Sequence, residues 1–67
     1  MTTVTYSIPA IHCEHCTHTV QMEVSEIAGV VEVVADMELQ QATITFEDPA
    51  TETQIKSVLA EINYPVA

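Results

Sequence analysis

The stretch TTVTYSIPAIHCEHCTHTV, residues 2–20, contains the change of hydrophobic period on which the fold depends. From Thr3 to Ile8 apolar and polar side chains alternate, which is typical of a half-buried β-strand, and Pro9 ends that pattern. From residue 14 to residue 27 the apolar side chains recur every three or four positions, which predicts an amphipathic helix. The only two cysteines of the chain, Cys13 and Cys16, lie at the junction of these two elements.

Two further strands are expected in the middle of the chain. Residues 30–37 predict a second strand with a bulge, because the alternation of apolar side chains is disturbed there. Residues 42–46 alternate cleanly and predict a third strand. Gly29, which follows the first helical pattern, fits a helix C-cap in the left-handed conformation.

The last third of the sequence predicts a second helix and a short final strand. Thr51 and Gln54 have the spacing of a capping box at a helix start. Residues 64–67 can supply only a short strand at a sheet edge, because Pro65 has no backbone N–H. The order βαββαβ predicts an α+β, ferredoxin-like sandwich, in which a four-stranded antiparallel sheet carries both helices on one face.

Composition and charge limit the class of protein. The chain has 67 residues, 48% of them hydrophobic and only one of them glycine, which predicts a single packed domain over residues 1–67. Ten acidic side chains stand against one basic side chain, for a net charge of -9. Nucleic acid is therefore excluded as a partner, because phosphate binding depends on Lys and Arg. The acidic groups predict either a solvated surface or attraction to a partner with a basic face.

No targeting or membrane-spanning segment is visible in the sequence. The N-terminus lacks a basic region followed by an apolar core, and no apolar run approaches the roughly 20 residues that a bilayer requires. We therefore expect a cytoplasmic protein without membrane insertion, whose thiols stay reduced. A disulfide between Cys13 and Cys16 would close a very short loop and contribute little stability.

The spacing of the cysteines restricts their chemistry to two kinds. Two thiols three residues apart at a helix start can bind one soft metal ion or cycle between dithiol and disulfide. Thiolates select Cu(I) over hard cations such as Mg²⁺ and Ca²⁺. Cys16 should lie in the first helical turn, where free backbone N–H groups favour its thiolate. Two protein ligands leave the metal under-coordinated, so a thiolate of a partner can attack it.

These features together resemble the heavy-metal-associated domain family, which includes cytosolic copper chaperones and the N-terminal modules of metal-pumping ATPases. The resemblance covers essentially the whole chain. It rests on IHCEHC at residues 11–16, GVxxVxAD at 29–36, AxIxF at 42–46 and Tyr64. The chain departs from the family pattern in having Ala10-Ile11 in place of Gly-Met and Asn63 in place of Gly.

The resemblance implies a metal site with Cys13 and Cys16 as ligands and ligand-exchange transfer between matching CxxC sites. It implies a metal-transporting P-type ATPase, or its metal-binding domain, as partner of a monomer, with a copper-bridged homodimer as an alternative state. His15 is expected either to tune the thiolates or to be a plain exposed side chain. His12 is a candidate third ligand for Zn(II) or Cd(II). Tyr64 is expected either to pack beside the metal loop or simply to cap the core.

Three functions follow as hypotheses. The first is a binding and delivery protein, not an enzyme, that carries Cu(I). The second is a module for a divalent ion such as Zn(II), Cd(II) or Hg(II), because His12, Glu14 and His15 offer harder ligands. The third is a dithiol oxidoreductase, which is disfavoured because Glu14 and His15, with no proline, separate the cysteines.

Overall fold

The computed structural model describes all 67 residues. Its elements, in chain order, are β1 (Thr2–Ser7), α1 (Glu14–Ser25), β2 (Val30–Asp36), β3 (Gln41–Phe46) and α2 (Glu52–Glu61). The strands form one antiparallel sheet in the order β1-β3-β2, and both helices share a hydrophobic core with the sheet. Neither helix is long and apolar enough to cross a bilayer.

The alternation seen in the sequence places one face of the sheet in the core. Side chains of β3 that face inward are buried, and those on the opposite face are more exposed. On that opposite face two pairs of threonine hydroxyls hydrogen-bond across β1 and β3, at 3.1 and 3.2 Å. The buried core consists of Tyr6, Ile8, Ile11, Cys16, Val20, Val24, Ala42, Ile44, Phe46, Ala50, Ile55 and Leu59.

The bulge predicted for the second strand is confirmed. The pairing of β2 with β3 shifts between Val30 and Glu32, so Val31 has no partner in the ladder. Its side chain is 53% exposed. The shift restores the inward direction of Val33 and Ala35, which lie opposite Ile44 and Ala42.

The predicted fourth strand is wrong: the sheet has three strands. Residues 64–67 run beside β1 with a single ladder-like bond, in which the Ala67 N–H donates to the Ser7 carbonyl at 2.9 Å. Pro65 has no N–H to donate, and the Tyr64 N–H is used by the Leu59 carbonyl at the end of α2. Too few donors remain for regular pairing, although side chains of this segment still pack against the core.

The helix ends follow local chemistry, with one correction. The Thr51 side chain accepts a hydrogen bond from the Gln54 backbone at 3.2 Å, as the capping pattern predicts. The expected role of Gly29 as a helix cap is wrong, because α1 ends at Ser25 with Glu26 as its C-cap. Gly29 instead lies just before β2 with φ +100°.

Gly29 is required by its surroundings as well as by its backbone. A Cβ atom there would collide with the Glu47 carbonyl oxygen and lie 2.7 Å from the Ala50 nitrogen. The Gly29 carbonyl also accepts a hydrogen bond from Glu47, at 2.8 Å. This close approach joins the start of β2 to the turn that follows β3.

We predict that Gly29→Ala lowers the free energy of unfolding by more than about 1 kcal/mol, because alanine combines left-handed strain with a backbone collision. Chemical denaturation followed by circular dichroism measures this change. Ala28→Ser, at the exposed neighbouring position, is the control and should stay within about 0.5 kcal/mol of wild type. Equal stabilities of the two variants would contradict the collision.

Candidate metal site

The two cysteines lie at the start of α1, as the sequence predicts. Cys13 is the N-cap residue, with extended backbone at φ -158° and ψ 169°, and Cys16 lies in the first turn. The N–H groups of Cys16 and Thr17 donate to the Cys13 carbonyl at 3.1 and 3.2 Å. Both cysteines are free thiols, and their sulfur atoms are 3.4 Å apart. One metal ion can therefore contact both.

The two thiols differ in accessibility. Cys16 is 4% exposed and belongs to the hydrophobic core, whereas Cys13 is half-buried. The difference follows from the helix, because Cys16 shares the inward-facing stripe of α1 with Val20 and Val24. Ile11, two residues before Cys13, is fully buried and anchors the approach to the helix. A partner can thus reach a bound metal from the side of Cys13.

The Cys16 thiol is poised to ionise near neutral pH. Its pKa is lowered from the ordinary value to about 7, first by hydrogen bonding with the Tyr64 hydroxyl and then by the His12 backbone, while burial opposes the change. The same contact raises the pKa of Tyr64, because its hydroxyl proton is held beside the thiolate. Tyr64 is half-buried and packs against the core. A role for Tyr64 at a bound metal stays a prediction.

His12 is exposed, yet its ring turns back toward the thiols. Its Nδ1 atom lies 2.8 Å from the Ala10 carbonyl oxygen and 3.7 Å from the Cys16 sulfur. Candidate ligand atoms of His12, Cys13 and Cys16 all lie within 4.8 Å of one another. Because a carbonyl only accepts, Nδ1 carries a proton when it bonds Ala10. In that tautomer Nε2 has the free lone pair, so a metal would bind Nε2, or Nδ1 after the proton moves to Nε2.

His15 is placed differently from the other residues expected at the site. It is exposed on α1, and its ring is not part of the cluster formed by His12, Cys13 and Cys16. Its backbone carbonyl accepts a hydrogen bond from the Thr19 hydroxyl at 3.0 Å, which is an ordinary helix contact. A role for His15 in tuning the thiolates stays a prediction.

Sequence reasoning missed Gln40, in the turn between β2 and β3. Its side-chain Nε2 donates to the Pro9 carbonyl at 2.9 Å and to the Ile11 carbonyl at 3.0 Å. These partners are 31 and 29 positions away in the chain. A glutamine within a polar turn carries no sequence signal for such contacts, because only the fold brings the two segments together.

The fold and the paired thiols define a small α+β metal-binding domain, and comparison with known proteins gives the family. The chain matches the sequence model of the heavy-metal-associated domain over residues 5–65. It belongs to that family.

Similar proteins include a mercuric transport component and a COP-associated protein. The chain is 39% identical over 64 residues to a mercuric transport protein periplasmic component of Pseudomonas aeruginosa, covering 94% of this chain and 70% of that protein. It is 35% identical over 63 residues to a COP-associated protein of Helicobacter pylori strain J99, covering 94% and 96%. Among solved structures, oxidized MerP from Ralstonia metallidurans CH34 superposes with a TM-score of 0.88 at 36% identity, covering 98% of this chain and 93% of that chain.

We predict that Tyr64→Phe raises the pKa of the Cys16 thiol above about 7, because the hydroxyl that favours the thiolate is removed. At neutral pH the variant should have a smaller thiolate fraction. The measurement is the pH dependence of thiolate ultraviolet absorbance in the reduced, metal-free protein. Tyr6→Phe is the matched control, because the Tyr6 hydroxyl bonds Glu52 at 2.9 Å. A Cys16 titration that is the same in both variants would refute the role of Tyr64.

Proposed function

We propose that this protein binds Cu(I) between Cys13 and Cys16 and delivers it to a metal-transporting P-type ATPase or to a metal-binding domain of one. The observation that carries the proposal is the pair of free sulfurs 3.4 Å apart, one in the core and one half-buried. Two thiolates satisfy a soft ion such as Cu(I), and they leave it open to a third.

Transfer follows from the unequal exposure of the two sulfurs. A partner thiolate attacks the bound ion from the side of Cys13 and forms a new metal–sulfur bond. The bond to Cys13 then breaks, and Cys16, which is more buried, releases the ion last. The lowered pKa of Cys16 supports this route, because its thiolate is available near neutral pH without a strong base. Only metal–sulfur bonds form and break in this route, so the role that we propose is that of a carrier and not of an enzyme.

The charge of the chain supports a basic partner surface. Ten acidic side chains and one basic side chain give a net charge of -9, so the surface as a whole is negative. The single lysine, Lys56, lies over the ring of Tyr6, with Nζ 5.6 Å from the ring centroid. Association with a basic metal-binding domain would be accelerated by this charge and slowed by salt.

We propose that the protein acts in the cytoplasm, because its site needs free thiols. A dithiol that must bind metal repeatedly requires reducing surroundings, and the cytosol provides them. The Pseudomonas relative is named as a periplasmic component. The redox state of Cys13 and Cys16 in cells, measured by alkylation on acid quenching, distinguishes the two compartments.

A divalent ion is the second candidate cargo, on two observations. His12 Nδ1 lies 3.7 Å from the Cys16 sulfur, so Zn(II) or Cd(II) could gain a nitrogen ligand there. The 39% identity to a mercuric transport component supports Hg(II), which is soft and suits two thiolates. Cu(I) stays the primary proposal over Zn(II) and Cd(II), because two thiolates satisfy Cu(I), whereas these divalent ions prefer four ligands and the cluster offers three.

We predict that Cys13→Ser and Cys16→Ser each lower the Cu(I) affinity by more than about a hundredfold. Loss of a residue that only hydrogen-bonds a metal ligand already lowers affinity by up to about a hundredfold, and loss of the ligand itself should cost more. Competition titration of the reduced protein against a chromophoric Cu(I) chelator measures the affinity. His18→Ala, an exposed substitution on the same helix, is the control for folding and for nonspecific binding. Parallel titrations with Zn(II) and Hg(II) rank the ions. If the ratio of Hg(II) affinity to Cu(I) affinity is higher for the protein than for dithiol model compounds, Hg(II) replaces Cu(I) as the proposed cargo.

We predict that His12→Ala lowers Zn(II) affinity about tenfold or more and leaves Cu(I) affinity nearly unchanged, because only the divalent ion recruits the nitrogen. Zinc competition titrations on His12→Ala and on His18→Ala make the comparison. Equal loss in the two variants would show that His12 is not a ligand. A comparable loss of Cu(I) affinity in His12→Ala alone would place His12 in the Cu(I) site as well.

A further inference from the structure

We propose that Gln40 is a positioning residue for the metal site: its side chain ties the segment Pro9–Ile11 to the turn between β2 and β3 and thereby limits the movement of Cys13 during metal transfer. This inference rests on the proposed function, because it concerns the same two thiols. Gln40 touches neither sulfur, and it acts through the backbone that leads to them.

The side-chain NH₂ group of Gln40 donates two hydrogen bonds, and both go to this segment. Nε2 donates to the carbonyls of Pro9 and Ile11, at 2.9 and 3.0 Å. Both partners can only accept, so the amide must present its NH₂ group and not its oxygen. The backbone carbonyl of Gln40 accepts a third hydrogen bond, from the Ile8 N–H at 2.7 Å. One turn residue thus holds both the end of β1 and the loop after it.

The segment held by Gln40 leads directly into the metal site. Ile11 is fully buried, and its N–H donates to the Ile8 carbonyl at 3.1 Å. The carbonyl of Ala10, between the two acceptors of Gln40, lies 2.8 Å from His12 Nδ1. Three successive carbonyls before Cys13 therefore have partners. The backbone that carries Cys13 has little freedom to move away from Cys16.

The backbone of Gln40 is in a conformation that glutamine does not favour. Its φ is +54°, in the left-handed region where glycine, asparagine and aspartate are the preferred residues. Asparagine would suit the backbone better, but its side chain is one methylene shorter. The longer side chain of glutamine explains its presence here, because it brings the amide to the two carbonyls of the neighbouring segment.

Restraint of Cys13 has a consequence for metal transfer. In ligand exchange the sulfur of Cys13 must withdraw from the ion while Cys16 retains it. A loop held at Pro9 and Ile11 opposes that withdrawal, which keeps the two sulfurs together and slows release. Loosening the loop should weaken metal binding and accelerate transfer in the same variant.

The test compares Gln40→Met, which keeps the length of the side chain without its donors, with Gln41→Met. Gln41 is the neighbouring residue and makes no side-chain hydrogen bond recorded in the structure, so it receives the same chemical change without the loss of the tie. In the metal-free protein, Gln40→Met should accelerate hydrogen exchange of the Ile11 amide about tenfold relative to the amides of α1. Alkylation of Cys13 by iodoacetamide should accelerate as well.

Transfer of Cu(I) to bathocuproine disulfonate is the second measurement. We expect Gln40→Met to transfer the ion several-fold faster than wild type, within the roughly thirtyfold that two lost hydrogen bonds allow. Gln41→Met should match wild type. An unchanged Ile11 amide, or an unchanged transfer rate beside an accelerated amide, would overturn the proposal.

Gln40→Asn separates the tie from the stability of the turn. Asparagine favours the left-handed backbone, so the variant should unfold at a higher denaturant concentration than Gln40→Met, which lacks the same hydrogen bonds. Its amide cannot reach Pro9 and Ile11, so the Ile11 amide and Cu(I) transfer should still accelerate. Wild-type behaviour of Gln40→Asn in both measurements would show that Gln40 serves only the turn.

The two proposals fail in different measurements. If wild-type protein does not bind Cu(I) tightly, the proposed function fails. The Ile11 amide and the alkylation of Cys13 would then still decide whether Gln40 restrains the loop, because neither measurement needs a metal.

Discussion

Burial of Ile11 is the constraint on which the metal site depends. Its side chain is fully buried in the core, and full burial of an aliphatic side chain of this size is worth roughly 2 kcal/mol. The chain passes from Ile11 to the N-cap of α1 in two residues, so Cys13 has a defined place. The buried stripe of α1 positions Cys16 independently. The 3.4 Å between the sulfurs follows from these two anchors.

The net charge of the molecule and the hydrogen bonds at the site have opposite effects on ionisation of the Cys16 thiol. A net charge of -9, with Glu14 in the first turn of α1, disfavours further negative charge on sulfur. The Tyr64 hydroxyl and the His12 backbone nevertheless lower the pKa of Cys16 to about 7. Local hydrogen bonding outweighs distant charge here, because solvent screens the exposed carboxylates while donors in contact with the thiolate are not screened.

In the proposed carrier role the protein must hold its ion and also release it, and the unequal burial of the two cysteines suits these two demands. Cys16 is held by the core and the helix, which makes it a constant ligand. Cys13 is at a helix terminus, half-buried and at the end of an irregular loop. We propose that binding strength depends on how firmly that loop is held, and selectivity on whether the His12 nitrogen joins the two sulfurs.

The two helices, three strands, the bulge in β2 and the placement of the cysteines at the start of α1 could all be predicted from the sequence, because these features depend on local periodicity and capping. The strand predicted at residues 64–67 was wrong, because this strand-like segment does not have enough free backbone N–H donors for regular pairing. The sequence did not predict how the folded chain brings the His12 ring toward Cys16, the Tyr64 hydroxyl to that thiol and the Gln40 amide to its two carbonyls. The contacts of Tyr64 and Gln40 join residues far apart in the chain, and that of His12 depends on how the loop turns back. A hydrophobic pattern predicts which side chains are buried, but it does not predict which polar atoms come into contact in the folded protein.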